Sequence, residues 1–196
     1  MPNQPQPNTN TDRRRAALEL LNIPYCPLTP TKVQVRFLLD MTREVLYGGA
    51  AGGAKSTAMF MAALQYVEIP GYAAIVFRRR LSDLMLPSGL IPVAHSWLTG
   101  HARWSGEEHT WHFPSGARLV FGYLDHVADM YRYQGAEFQF IGFDELTQFP
   151  EAPYRYLFSR LRGPSDPNAA PSWQSRSAGS DRTRGSRSEQ VATDSD

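Results

Sequence analysis

Residues 48–57 of this chain have the composition of a loop that binds phosphate. They read Gly-Gly-Ala-Ala-Gly-Gly-Ala-Lys-Ser-Thr. Glycines let the backbone curl so that several N–H groups point at one phosphate chain. Lys55, one of only two lysines in 196 residues, supplies a positive charge to phosphates, and the Ser56 hydroxyl is a ligand type for Mg²⁺. The segment therefore predicts a phosphate-binding loop that departs from the usual pattern at Ala54, where that pattern has glycine.

A second segment ends in two adjacent carboxylates. Residues 138–143 read Phe-Gln-Phe-Ile-Gly-Phe and precede Asp144 and Glu145. At the carboxyl end of a parallel strand, Asp144 faces the loop and can hold Mg²⁺ directly or through water. Glu145 can then orient and deprotonate an attacking water, which suits hydrolysis. The alternative is a pair of solvated loop acids, but the upstream loop favours the first interpretation.

Two further features have two interpretations each. The amide of Gln34 can hydrogen-bond both edges of adenine, or it is an exposed helix glutamine. Arg78–Arg80 follow a predicted strand and can contact DNA phosphates or a neighbouring subunit's nucleotide, or they form a solvated basic turn. The histidines do not have zinc-ligand spacing, so a zinc centre is not expected.

The elements predicted around the loop alternate between strand and helix. Residues 45–47 predict a buried strand, residues 56–67 a helix, and residues 73–77 a second buried strand, which together make a β-α-β unit with parallel strands. Residues 138–143 predict a third buried strand, and residues 153–161 a helix. The carboxyl ends of such strands place the loop and the acids together.

The remaining patterns complete an α/β prediction. Helices are expected over residues 13–21 and 31–41, and a β-hairpin over residues 109–113 and 117–123, around Pro114-Ser115-Gly116. The predicted fold class is α/β, of the P-loop NTPase type. It has a mainly parallel sheet flanked by helices, with the hairpin as an insertion.

Composition sets the limits of the folded region. One cysteine, Cys26, excludes a disulfide scaffold, and the apolar stretch near residues 58–64 is too short to cross a membrane. The net charge of +1 does not mark a general nucleic-acid binder. Residues 1–11 and 164–196 are poor in apolar residues and are predicted to be disordered, which leaves one domain over residues 12–163.

Several motifs agree in order and spacing with those of one known family. They are residues 46–56, 70–79, 131–149 and 154–162. Together they resemble the ATPase domain of the large terminase subunit of tailed bacteriophages, over residues 25–163. The loop corresponds to the Walker A segment of that family, and the acidic strand end corresponds to its Walker B region.

The resemblance implies a Mg²⁺-dependent ATPase that drives double-stranded viral DNA into a procapsid. Its partners would be the DNA, the portal protein, a small terminase subunit and further copies in a ring. It would work without a membrane, in the host cytoplasm and transiently at the portal vertex. By the same motifs, Lys55 and Glu145 are catalytic, and Ser56 and Asp144 bind the metal. The residues expected to hold ATP are Gln34, Gly49, Gly52, Gly53, Ala54, Lys55, Ser56 and Thr57.

This chain departs from the family pattern in two places. Ala50 and Ala51 stand where many members carry a loop arginine, so the charge-stabilising arginine is expected among Arg78–Arg80 or on a neighbouring subunit. The similarity also ends near Arg162, before the coupling strand and nuclease domain, so a truncated ATPase domain without nuclease activity is expected. The alternatives are an impaired fragment that binds ATP or a partner, and another P-loop NTPase such as a helicase-like ATPase.

Overall fold

The computed structural model describes Leu21 and residues 23–40, 42–48 and 54–162. The predicted arm over residues 1–11, nearly all of the predicted helix 13–21, and the predicted tail 164–196 lie outside these residues. Most of the glycine-rich loop, residues 49–53, does too.

Within the described residues, one sheet of five strands forms the centre of the fold. The strands are β1 (Ala73–Arg78), β2 (Arg103–Ser105), β3 (Thr110–His112), β4 (Arg118–Tyr123) and β5 (Phe140–Phe143). Their spatial order is β2-β3-β4-β1-β5. β1 runs parallel to both β4 and β5, whereas β3 is antiparallel to β2 and β4. The sheet is therefore mixed, and the prediction of a mainly parallel sheet was wrong, because the hairpin joins the sheet itself.

Five α-helices in the described residues surround this sheet. They are α1 (Lys32–Leu38), α2 (Ala54–Leu64), α3 (Leu81–Met85), α4 (Leu90–Leu98) and α5 (Glu151–Phe158), with 3₁₀ helices at Val127–Tyr133 and Leu146–Gln148. α4 was not predicted, and it contains Pro92, a residue type that usually breaks a helix. Pro92 lies in the first turn of α4, where a missing N–H costs no helical hydrogen bond. No helix among the described residues has the length and apolarity that a membrane crossing requires.

Side chains of β1 alternate between two apolar clusters, one on each face of the sheet. Ala74 and Val76 belong to a cluster with residues of α2 and α4. Ile75 and Phe77 belong to a second cluster, which includes Leu157 of α5. A strand buried on both faces reads as a continuous apolar run, so the prediction of a buried strand at residues 73–77 is confirmed, as is the placement of helices on both faces.

The predicted strand at residues 45–47 is absent, since no residue from 42 to 48 is in a strand. Leu46 is 80% exposed and Val45 is 39% exposed. Side chains hold this segment instead: the Tyr154 hydroxyl donates to the Glu44 carboxylate, and the Tyr47 ring lies 4.8 Å from that of Phe37. The β-α-β unit predicted around α2 is therefore not formed by the described residues.

The hairpin prediction is confirmed. Trp111 of β3 lies opposite Leu119 of β4, and the Phe113 N–H donates to the Ala117 carbonyl at 3.0 Å across the turn. The turn is tied to the end of the α2 region, because the Ser115 hydroxyl donates to the Val67 carbonyl at 2.5 Å.

Candidate functional site

The Ser56 hydroxyl and the Asp144 carboxylate meet at one edge of the sheet. Ser56 Oγ donates to Asp144 Oδ1 at 2.9 Å, across 88 positions of the chain. Ser56 lies in the first turn of α2, and Asp144 directly follows β5. The Asp144 N–H donates to the Phe77 carbonyl of β1 at 2.9 Å, which continues the parallel β1/β5 pairing by one residue. Two oxygens of the type that hard cations prefer are thus brought together.

The second oxygen of the carboxylate is held by Arg78. Arg78 Nε donates to Asp144 Oδ2 at 2.6 Å. Asp144 is only 5% exposed, and Arg78 is 21% exposed. A carboxylate this buried needs a counter-charge and hydrogen-bond donors, and Arg78 and Ser56 supply both.

A close approach of α2 to β5 fixes the distance between Ser56 and Asp144. Gly142 of β5 faces Met59 of α2, and a Cβ at Gly142 would lie 2.7 Å from Met59 Sδ. Ser56 and Met59 are three residues apart and therefore share one face of the helix. Because Gly142 has no side chain, this face of α2 can pack closely against the end of β5.

Glu145 has an unusual backbone conformation. Its φ and ψ are 56° and 53°, in the left-handed region, and its carbonyl accepts from the Gln148 N–H at 2.9 Å. A residue with a Cβ there costs about 1–2 kcal/mol, and such strain is concentrated at functional sites. The chain thus turns sharply after the buried Asp144 and leaves Glu145 exposed.

Only part of the predicted ATP-binding loop lies in the described residues. Lys55 and Thr57 flank Ser56 in the first turn of α2, and both are partly buried. Ala54 begins α2. Gly49, Gly52 and Gly53 lie outside the described residues, so the loop conformation stays a prediction, and so do the roles of Lys55 and Thr57.

Gln34 is buried, at 5% exposure, and so is not the exposed helix glutamine of the alternative interpretation. Its Oε1 accepts from the Thr31 N–H at 2.8 Å, while the Gln34 N–H donates to Thr31 Oγ1 at 3.3 Å. This capping box begins α1. α1 is tied to α2 by Gln65, whose Nε2 donates to the Leu38 carbonyl at 3.1 Å. Adenine recognition by Gln34 stays a prediction.

The ion pair between Arg78 and Asp144 was missed by the sequence analysis. Arg78 was expected to bind phosphate or to be solvated, whereas its Nε is bonded to the predicted metal ligand. The signal lies in the register: Phe77 is opposite Phe143 in the parallel pair, so Arg78 and Asp144 are neighbours. No group of three or more metal-ligating His, Cys, Asp or Glu residues occurs in the described part of the chain.

The fold and the site together define an α/β protein whose polar cluster lies at the carboxyl ends of parallel strands. Residues 45–168 match the family model of the terminase large subunit, T4likevirus-type, N-terminal. The match covers more than half of the chain, so the chain belongs to this family, and the resemblance seen in the sequence is confirmed. Membership indicates a role in phage DNA packaging. No curated protein and no solved structure matches the chain.

Proposed function

We propose that this chain provides the Mg²⁺-dependent ATPase activity of a phage DNA-packaging motor. The observation that carries the proposal is the hydrogen bond between Ser56 of α2 and the buried Asp144, at 2.9 Å. It joins the two segments that the sequence marks separately as a phosphate-binding loop and as an acidic strand end. Membership of the terminase family supports the same activity.

The two oxygens fit a magnesium site. Mg²⁺ requires octahedral oxygen ligands at about 2.0–2.1 Å, so adjacent ligands are about 2.9 Å apart. Ser56 Oγ and Asp144 Oδ1 are 2.9 Å apart and would hold the ion, with water and phosphate oxygens as further ligands. When bound, Mg²⁺ neutralises charge on the transferred phosphoryl group.

Other residues of the site would bind the phosphates and activate the attacking water. Lys55 adjoins Ser56 in the first turn of α2 and binds the phosphates as a point charge. The N-terminus of α2 adds N–H groups and a positive dipole end. Glu145 is exposed beside Asp144, where it orients the attacking water and accepts its proton. The nucleotide substrate in this proposal is ATP, and Gln34 would hydrogen-bond its adenine base.

The same proposal extends to the partners of the motor. Its substrate is double-stranded viral DNA, and its assembly is a ring of copies on the portal protein, with a small terminase subunit. It acts in the host cytoplasm and transiently at the portal vertex of the procapsid.

Phosphate release by the full chain tests the ATPase assignment. Glu145→Gln is expected to keep ATP binding and to lose turnover at least ~100-fold, because general-base catalysis contributes about 10²–10⁴. Lys55→Ala is expected to lose both binding and turnover. Two matched controls carry the same chemical changes at exposed positions: Glu151→Gln on α5 and Lys32→Ala at the start of α1.

Each outcome separates the proposal from its alternatives. Turnover at the unchanged rate in both Glu145→Gln and Lys55→Ala would refute the assignment. ATP binding by the unchanged chain without phosphate release would favour the binding-only fragment. Phosphate transfer to an acceptor in place of release to water would indicate a kinase.

A further inference from the structure

Both oxygens of the Asp144 carboxylate already have donors. Ser56 Oγ bonds Oδ1 at 2.9 Å, and Arg78 Nε bonds Oδ2 at 2.6 Å. The carboxylate is 5% exposed, so few directions of approach are open. A divalent cation bound to this carboxylate would therefore lie close to the positive charge of Arg78.

The pairing of β1 with β5 positions the ion pair between Arg78 and Asp144. Because Phe77 is opposite Phe143 in the parallel β1/β5 register, the next residues, Arg78 and Asp144, leave the two strands side by side. The backbone bond from the Asp144 N–H to the Phe77 carbonyl holds them there. This differs from an exposed pair of two long side chains, which contributes little.

We propose that Arg78 is an exchangeable counter-ion of Asp144, so that a divalent cation binds this carboxylate only when the Arg78 Nε–H releases Oδ2. The inference rests on the proposed function, which supplies the cation. A guanidinium and a divalent cation on one carboxylate repel each other strongly in a poorly solvated site. Arg78 is 21% exposed and can turn its charged end toward water, whereas Asp144 cannot.

Arg78 is in this view a positioning residue. It holds the carboxylate in the orientation that also accepts from Ser56, and it sets the cation concentration at which the site fills. Removal of its charge should therefore make the site bind cations more tightly, although it removes a native contact. A purely structural role for Arg78 predicts the opposite sign, since loss of the contact would loosen the site.

Binding of Mn²⁺ to the full chain without nucleotide tests this sign. Free Mn²⁺ is measured from its electron paramagnetic resonance signal. Arg78→Gln is expected to bind Mn²⁺ at least tenfold more tightly than the unchanged chain. Arg78→Lys keeps the competing charge and is expected to bind no more tightly than the unchanged chain. Asp144→Asn added to Arg78→Gln should remove the gained affinity.

A control and a second measurement guard against effects on folding. Arg155→Gln removes the same charge from an exposed pair on α5 and should leave Mn²⁺ affinity unchanged. In Arg78→Gln the buried carboxylate has lost its counter-ion, so Mn²⁺ should raise the melting temperature of this variant more than that of the unchanged chain. This shift remains measurable if the variant is only marginally folded.

Equal or weaker Mn²⁺ affinity of Arg78→Gln overturns the inference, and so does a lack of Mn²⁺ binding to both chains. Failure of the proposed function has a different signature. In that case the unchanged chain binds Mn²⁺, the affinity responds to Arg78→Gln as expected, and no phosphate is released from ATP.

Discussion

A methyl group at Gly142 should push α2 away from β5 and separate Ser56 from Asp144. A Cβ at this position would lie 2.7 Å from Met59 Sδ, 2.9 Å from Met59 Cγ and 3.1 Å from Phe140 Cε1. Favourable contacts between such atoms begin near ~3.5 Å, so about 0.8 Å must be absorbed. Met59 is itself buried, which leaves its side chain little space to move.

Both the stability and the site should respond. Overpacking of this kind costs about 1–3 kcal/mol of unfolding free energy. Ser56 lies one turn before Met59 on the same face of α2 and moves with it. The part of this ~0.8 Å that α2 absorbs would lengthen the 2.9 Å bond from Ser56 to Asp144, and a misplacement near 1 Å costs roughly 100-fold in rate.

Urea unfolding followed by tryptophan fluorescence measures the first effect, and phosphate release measures the second. Gly106→Ala is the matched control, because its Cβ would meet only Trp104 Nε1, at 3.6 Å, and should not destabilise the fold. Addition of Met59→Ala to Gly142→Ala should recover space, so the two losses should fall short of additivity by at least ~1 kcal/mol. Strict additivity, or a Gly142→Ala chain as stable as the unchanged one, would refute the close approach.

The burial of Tyr133 and the hydrogen bond of Ser115 each give a prediction about stability. Burial raises the pKa of Tyr133 to about 12, so the unfolded chain loses this proton near pH 10 while the folded chain keeps it. The unfolding free energy should therefore fall between pH 10 and 12, by at most about 2–3 kcal/mol from this group, and Tyr133→Phe should show a smaller fall in urea titrations at each pH. Ser115→Ala removes the donor to the Val67 carbonyl and should cost about 1–2 kcal/mol in the same assay at neutral pH. Ser96→Ala, at an exposed helical serine, serves as its control; an equal loss in both serine variants would contradict the role of the turn contact.

The sequence correctly predicted those elements whose own residues form a clear local pattern. β1 is a continuous apolar run and is buried on both faces. The β3/β4 hairpin was predicted because Pro114-Ser115-Gly116 is a strong turn signal between two strand-like runs. β2 has only three residues, too few for a periodic pattern, and was not predicted.

The segment at residues 45–47 shows where a local pattern fails. Three apolar residues before glycines suggest a buried strand, yet a strand also needs a partner to which it can bond. In the described residues the sheet ends at β5, and residues 42–48 do not pair with it. The neighbouring Glu44 is bonded to Tyr154 of α5, and the ring of Tyr47 packs on that of Phe37. Contacts with the helices thus decide the position of this segment, and they cannot be inferred from three residues.

The site could also be predicted only in part, because its residues come from separate segments that the fold brings together. Ser56 and Asp144 were expected to meet because a helix start and a strand end converge at one edge of an α/β sheet. Arg78 was not expected to join them, because Arg78 at the end of β1 is followed by Arg79 and Arg80, and only the register selects one of the three. A shift of one residue would place Phe77 or Arg79 beside Asp144 and turn the strand's side chains to the opposite face. The pairing of β1 with β5 therefore decides which arginine is the counter-ion of Asp144. A variant in which this register shifts by one residue would lose the ion pair, even though Arg78 and Asp144 are both still present.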